Sequence, residues 1–216
     1  MIKGLIFDLD GTLLDTSKDL HTAISVMRGF YHLEALSLST VQAYLGEGIG
    51  VLVEKALMDA PDISRDEALG HFHKAYAQCY LDASKPYSKM EDLLETCHQL
   101  GLKCAVVTNK QEDYAQALIE KNFSDISFEL VLGEVSTRPR KPDPAAIERV
   151  LQKMNLKPSE VCLIGDSEVD VYTAKNAGIQ MIAVTYGYRS KAQLQAAGAR
   201  YFASSPQNCL ETLACV

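Results

Sequence analysis

A parallel α/β sheet covered by helices on both faces, with a small helical unit inserted after the first strand, is the fold that this sequence predicts. Three observations predict it. Short apolar runs alternate with amphipathic stretches of helical length over most of the chain. One segment near the start, residues 17–82, breaks that alternation and offers helical periodicity with no convincing strand. A length of 216 residues suffices for one well-buried core with a small unit appended.

The elements follow in order. Residues 4–7 form a short apolar run ending in Asp8, and similar runs recur at 102–107, 128–132, 161–164 and 179–184; each reads as a buried strand. Between them, residues 93–100, 112–121, 144–154 and 169–177 have the length and pattern of helices. Within the inserted unit, helices are expected at 18–30, 39–44, 50–59 and 64–81. Ser39 and Ser64 are the expected N-caps, the second completed by Glu67 as a capping box. The chain would leave the main unit near Asp15 to Ser17 and return through the polar run around Pro86. This divides it into a core of residues 1–15 and 83–216 and a cap of residues 16–82.

Composition excludes several classes of function. The formal charge is −7 with no Lys/Arg-rich stripe, which argues against nucleic acid as a partner. No apolar run approaches the length of a signal-peptide core or a membrane span, so no membrane association and a cytoplasmic location are expected. The six cysteines contain no Cys-x-x-Cys pair and fall mostly in apolar stretches, as reduced thiols that pack like small hydrophobes. The five histidines show no metal-ligand spacing and read as solvated or packed side chains.

In an open parallel sheet, ligands bind where the loops at the carboxyl ends of strands gather. Those loops carry Asp8-Leu9-Asp10-Gly11-Thr12, then Thr108-Asn109-Lys110, then Gly165-Asp166-Ser167 with Asp170 close behind, while Lys141-Pro142-Asp143-Pro144 precedes a helix. Asp8 and Asp10 are two residues apart on extended backbone, so their side chains point to one side about 6–7 Å apart. One carboxylate can attack phosphorus, because an acyl phosphate is labile and splits a slow displacement into two faster ones. The other can protonate the departing alkoxide and later deprotonate water. An anionic nucleophile and an anionic phosphate ester repel each other, so the site needs cations. Lys141 is one source, and Asp166 with Asp8 can hold a hard divalent ion such as Mg2+ through oxygen. Thr108 and Asn109 can donate hydrogen bonds to phosphoryl oxygens. Asp170, one helical turn beyond Asp166, is placed to orient Lys141 or to touch the metal's water shell. A calcium loop, which Asp-x-Asp-Gly also serves, fails for want of the remaining oxygen ligands. Arg138 and Arg140 fit no pattern and read as surface charge.

Taken together, Asp8 to Thr12, Thr108-Asn109, Lys141 to Pro144 and Gly165 to Asp170 resemble the four signature motifs of the haloacid dehalogenase superfamily. The resemblance implies a Rossmann-like parallel core and assigns Asp8 as nucleophile, Asp10 as acid/base, Thr108 to the phosphoryl group and Lys141 to charge compensation. It also implies Mg2+ held by Asp8, the Asp10 carbonyl and Asp166. Dehalogenases and phosphonate hydrolases of that family typically lack an acid at the position of Asp10, which favours phosphate esters. The helical insert resembles the caps of members acting on small phosphorylated metabolites. Within it, Tyr44-Leu45-Gly46-Glu47-Gly48-Ile49-Gly50 is similar to the cap of phosphoglycolate phosphatases, which makes 2-phosphoglycolate the first substrate to expect. Read without the family, the three glycines form a flexible turn between helices. A sugar-phosphate mutase such as a beta-phosphoglucomutase would employ the same Asp8 and Asp10, and pyrophosphate or nucleotides fit the motifs as well. A silent binding module is disfavoured by intact Asp8, Asp10, Lys141 and Asp166.

Overall fold

A computed structural model describes residues 1–216. Eight strands, numbered along the chain, form two sheets. After β1 (Gly4–Phe7), a two-stranded antiparallel ribbon joins β2 (Leu14–Asp15) to β3 (Lys85–Pro86). With β1, five more strands make the main parallel sheet: β4 (Lys103–Gln111), β5 (Val131–Glu134), β6 (Val161–Gly165), β7 (Gln180–Val184) and β8 (Tyr201–Ala203). Their spatial order is β5-β4-β1-β6-β7-β8. β1 therefore lies between β4 and β6, paired in parallel to both, and its carboxyl end faces the crevice where the direction of winding reverses.

Successive side chains leave a strand on opposite faces, and here both faces are buried. Leu5 and Phe7 join Val106, Cys162 and Ile164 under α5 (Met90–Gln99), α6 (Glu112–Asn122) and α10 (Pro206–Leu213). Ile6 faces the other way, with Ala105, Val107 and Leu163, under α7 (Ala145–Met154) and α8 (Glu168–Ala177). A short α9 (Lys191–Ala197) closes the edge beside α8, where Leu194 packs on Val171 and Ala183.

Between the strands of the ribbon, α1 (Ser17–Phe30), α2 (Leu38–Tyr44), α3 (Ile49–Ala56) and α4 (Arg65–Cys79) surround a separate apolar cluster that includes Ile24, Met27, Val53 and Phe72. Asp19 fastens the base of this insert by accepting bonds from the N–H groups of Ala83 and Ser84 and from the Ser84 hydroxyl. Arg28, 1% exposed, bonds the Ala56 carbonyl at the end of α3 and forms a two-pronged pair with Asp59 at 2.9 and 2.8 Å. Arg28→Met should therefore lower stability by about 2 kcal/mol, since it leaves a buried carbonyl unpaired. Urea denaturation of the variant measures this.

The structure corrects several expected boundaries. The third long strand begins at Val131 rather than at 128, because Phe128 turns inward against Phe123 at a ring separation of 6.3 Å. α2 is capped by Ser37, whose hydroxyl accepts the Thr40 N–H at 3.1 Å; Ser39 instead meets the Ser37 hydroxyl. α3 stops at Ala56, three residues short of Asp59, where Arg28 takes over its last carbonyl. Ser64 does cap α4, but the return bond from Glu67 that would complete a capping box is not made. β8, α9 and α10 were absent from the expected elements, being only 3, 7 and 8 residues long. All six cysteines are free thiols, and no helix is long and apolar enough to cross a membrane.

Candidate active site

Two adjacent parallel strands and the helix after the second bring acids to one point. Asp8 follows β1, Asp166 follows β6, and Asp170 sits in the first turn of α8; ligand oxygens of all three lie within 4.8 Å of one another. Lys141 enters from the loop between β5 and α7. Its ammonium bonds Asp170 at 2.6 Å and Asp8 Oδ1 at 3.0 Å with the side chain 2% exposed. The Leu9 N–H also donates to Asp8 Oδ1, at 2.7 Å, so that one oxygen is tied down while Asp8 also lines the crevice. Asp170 owes its place to a capping box in which Ser167 and Asp170 exchange side chain to backbone bonds at the start of α8.

Burial sets the electrostatics. It pushes the Asp8 carboxyl up from 3.8 to about 6; Lys141 opposes this, and Asp170 and Asp10 add to it. Burial likewise raises Asp166 well above the usual carboxylate range, reinforced by Asp170 and Asp8. For Lys141 burial acts downward, but Asp170 and Asp8 outweigh it and the ammonium is held above its ordinary value.

Asp10 lies on the other side of Asp8, away from the acidic trio. Its carboxylate accepts from Lys110 Nζ at 3.0 and 3.1 Å and from the Thr16 hydroxyl at 2.6 Å. Thr108, 5% exposed, lines a small chamber of about 30 Å³ together with Asp8, Asp10 and Lys110, roofed by Leu45, Gly46 and Ile49 of the insert. The residues expected to meet a phosphoryl group are thus brought together, with one change of part. The Asn109 amide donates to the carbonyls of Gly46 and Lys141, at 3.1 Å each, and accepts the Lys141 N–H at 2.9 Å. Both amide protons are committed, so Asn109 binds the Lys141 loop and the insert to β4 rather than presenting a free side-chain donor.

The profile of the haloacid dehalogenase-like hydrolase family matches residues 5–184. The chain belongs to that family. A phosphoglycolate phosphatase of Vibrio parahaemolyticus is 35% identical to it, over 99% of this chain and 96% of the relative. One from Thiobacillus denitrificans is 33% identical over 87% of this chain and 85% of its own length. Among solved structures, a haloacid dehalogenase-like family protein of Streptococcus pneumoniae superposes with a TM-score of 0.87 at 25% identity, covering 98% of each chain.

As a haloacid dehalogenase-like hydrolase, the protein has a donor set suited to a hard divalent cation, and two observations bear on the fit. The ligand atoms of the trio are all carboxylate oxygens, the preference of Mg2+. Within the buried trio Lys141 pairs with Asp8 and Asp170, while Asp166 has no salt-bridge partner, so the group is short of positive charge. The backbone around Asp166 is shaped by two glycines. A Cβ on Gly11, at φ +82°, would come within 2.3 Å of Asp166 Oδ2, and one on Gly187 within 2.4 Å of Asp166 Cβ.

Several residues at this site escaped the sequence reading. Tyr188 donates its N–H to Asp166 Oδ2 at 2.7 Å, while its hydroxyl accepts the Thr16 N–H at 3.0 Å. Next to it, Arg189 pairs with Glu168 at 2.9 Å and donates to the carbonyls of Gln42 and Leu45 in the insert. Both follow β7, and applying the strand-end rule to that strand too would have found them. Arg138 is not surface charge: its side chain is 10% exposed and pairs with Glu112 at 2.5 Å. Arg140 is exposed, yet it reaches the Glu47 carbonyl of the insert at 3.3 Å. Of the three glycines, Gly46 and Gly48 line the chamber at positive φ, whereas Gly50 lies inside α3.

Proposed function

We propose that the protein is a Mg2+-dependent phosphatase that hydrolyses a small phosphate monoester through an aspartyl-phosphate on Asp8, with 2-phosphoglycolate as its substrate. One observation carries the mechanism: Asp8 lines the chamber with one oxygen fixed by Lys141 and the Leu9 N–H, which leaves the other for attack. That presents a single oriented nucleophilic oxygen. The substrate is supported by relatives named phosphoglycolate phosphatase that align over nearly the whole chain.

In this reading Asp8 attacks phosphorus, and Asp10, held by Thr16 and Lys110, gives its proton to the leaving oxygen. Asp10 then removes a proton from the water that cleaves the acyl phosphate. Thr108 bonds the phosphoryl oxygens. Lys141 neutralises Asp8 as the anionic substrate approaches, and Asp170 fixes Lys141. Asp8, Asp166 and the Asp10 carbonyl would hold Mg2+, with Asp170 behind them. The ion would supply positive charge against the phosphoryl oxygens. The insert closes the chamber and keeps bulk water from the intermediate.

A screen for phosphate release from phosphorylated metabolites, with Mg2+ and then with chelator, tests the function. We expect release from 2-phosphoglycolate that chelation abolishes. An isomeric sugar phosphate appearing without free phosphate would mean a mutase. No release from any ester, p-nitrophenyl phosphate included, would mean a binding protein.

Metal binding should also depend on pH. With its carboxyl raised to about 6 from 3.8, Asp8 binds more protons in the folded than in the unfolded chain between those values. Stability of the metal-free protein therefore falls as pH rises through that window. Mg2+ needs the ionised form and competes with those protons. The gain in melting temperature on adding Mg2+ should be clearly larger at pH 7, where a hundredfold excess over Kd is worth about 3 kcal/mol, than at pH 5. A thermal shift series with and without metal measures it.

A further inference from the structure

Lys110 has no role in the scheme above beyond holding Asp10, yet its setting asks for a second anion. It is 3% exposed and lines the chamber together with Asp8 and Thr108. An ammonium has three protons and no acceptor. Here Asp10 accepts from it at 3.0 and 3.1 Å, and the Tyr76 ring lies 5.0 Å away on another side. The two oxygens of one carboxylate leave an ammonium with capacity for a further acceptor, which a ligand in the chamber can supply.

The other cations nearby are committed. Lys141 is shared between Asp8 and Asp170, and Arg189 between Glu168 and two carbonyls. The roof offers only Leu20, Leu45, Ile49 and Leu52 besides glycine. Spacing adds a constraint. Thr108 and Lys110 are two residues apart and line the same chamber, on the stretch of β4 between Val107 and Gln111 where the ladder is irregular. Their closeness along the chain favours a short link between a phosphoryl group at Thr108 and an anionic group at Lys110.

We infer that Lys110 is a specificity-determining subsite that takes a carboxylate on the leaving-group side of the substrate. This rests on the phosphatase reading and deepens it: the substrates selected are short phosphate esters bearing a carboxylate. An acceptor-only anion matches the ammonium, and the apolar roof disfavours a neutral polar substituent that finds no partner there.

Binding to the Asp8→Asn variant, measured by calorimetry with Mg2+ present, tests the subsite without turnover. The ligands are 2-phosphoglycolate and 2-hydroxyethyl phosphate, which replaces the carboxylate by a neutral CH2OH group. The carboxylate ester should bind about 10- to 100-fold more tightly, as one charge-assisted bond implies. Adding Lys110→Met should erase that preference while changing the affinity of the neutral ester much less; Lys110→Arg should keep part of it. Should Lys110→Met fail to fold, Lys110→Gln keeps a hydrogen-bond donor without the charge and should weaken the carboxylate ester selectively. A preference that survives Lys110→Met, an equal loss for both esters, or no preference before that substitution overturns the inference. Phosphate release by the unmodified protein judges the phosphatase reading separately. Hydrolysis of both esters without preference would sink the subsite alone, and a binding preference without hydrolysis would sink the phosphatase reading alone.

Discussion

Asp8→Asn is expected to lower phosphate release by about 10⁴-fold or more, because an amide cannot replace a carboxylate as the attacking group and no second acid stands where it could. The neighbouring acids are otherwise engaged: Asp10 by Lys110 and Thr16, Asp170 by Lys141 and Ser167, and Asp166 by Tyr188. The fold should survive. Asparagine is isosteric, Lys141 keeps its 2.6 Å bond to Asp170, and burial already opposes the charge on Asp8. A melting temperature within a few degrees of the parent, in metal-free buffer, is the expected control. A variant that kept most of its activity would remove Asp8 from the mechanism.

Lys141→Met should damage stability and activity together. It withdraws the one cation between Asp8 and Asp170, whose side chains are 7% and 0% exposed, and leaves their charges facing each other out of water. Breaking a buried ion pair in this way costs about 3–5 kcal/mol. Activity should fall by about 10²–10³-fold as the charge opposite the incoming phosphate disappears. Because the ammonium is held above its ordinary value, its contribution is fully present below the unfolded value of 10.5 and is lost only as pH rises through the higher folded one. The parent pair therefore persists between pH 6 and 9, whereas in the variant Asp8 loses the cation that lowers its carboxyl and takes up a proton more readily, so the destabilisation should be smaller at pH 6 than at pH 9. Magnesium should recover part of the stability, since it can compensate the freed carboxylates, but little of the activity. Urea denaturation with and without metal separates the two effects.

How much of this was legible in the sequence depends on whether partners lie near each other along the chain. The strand ends could be read directly, because apolar runs stop at Asp8 and just before Asp166, and a parallel sheet sends such ends to one edge. The helical insert was legible for the same reason, since its periodicity has no competing strand. Features made by distant residues were not. Lys110 meets Tyr76 of α4 and Asp10 far upstream, and Asn109 is drawn to Gly46 and Lys141; neither tie leaves a local pattern. Arg138 looked like surface charge until the turn after β5 brought it to Glu112. The last strand and the two helices beside it are too short for periodicity to rise above chance. They are held by tertiary packing, as where Ala203 and Cys209 enter the main core.

Rapid quenching of the protein with 2-phosphoglycolate and Mg2+, followed by peptide mass spectrometry, bears most directly on the reaction path. The account predicts an acid-stable, hydroxylamine-labile phosphoryl group on the peptide that contains Asp8, formed within the first turnover and absent from Asp8→Asn. Phosphate released in a full burst with no modified peptide, or a phosphoryl group found on another residue, would contradict it.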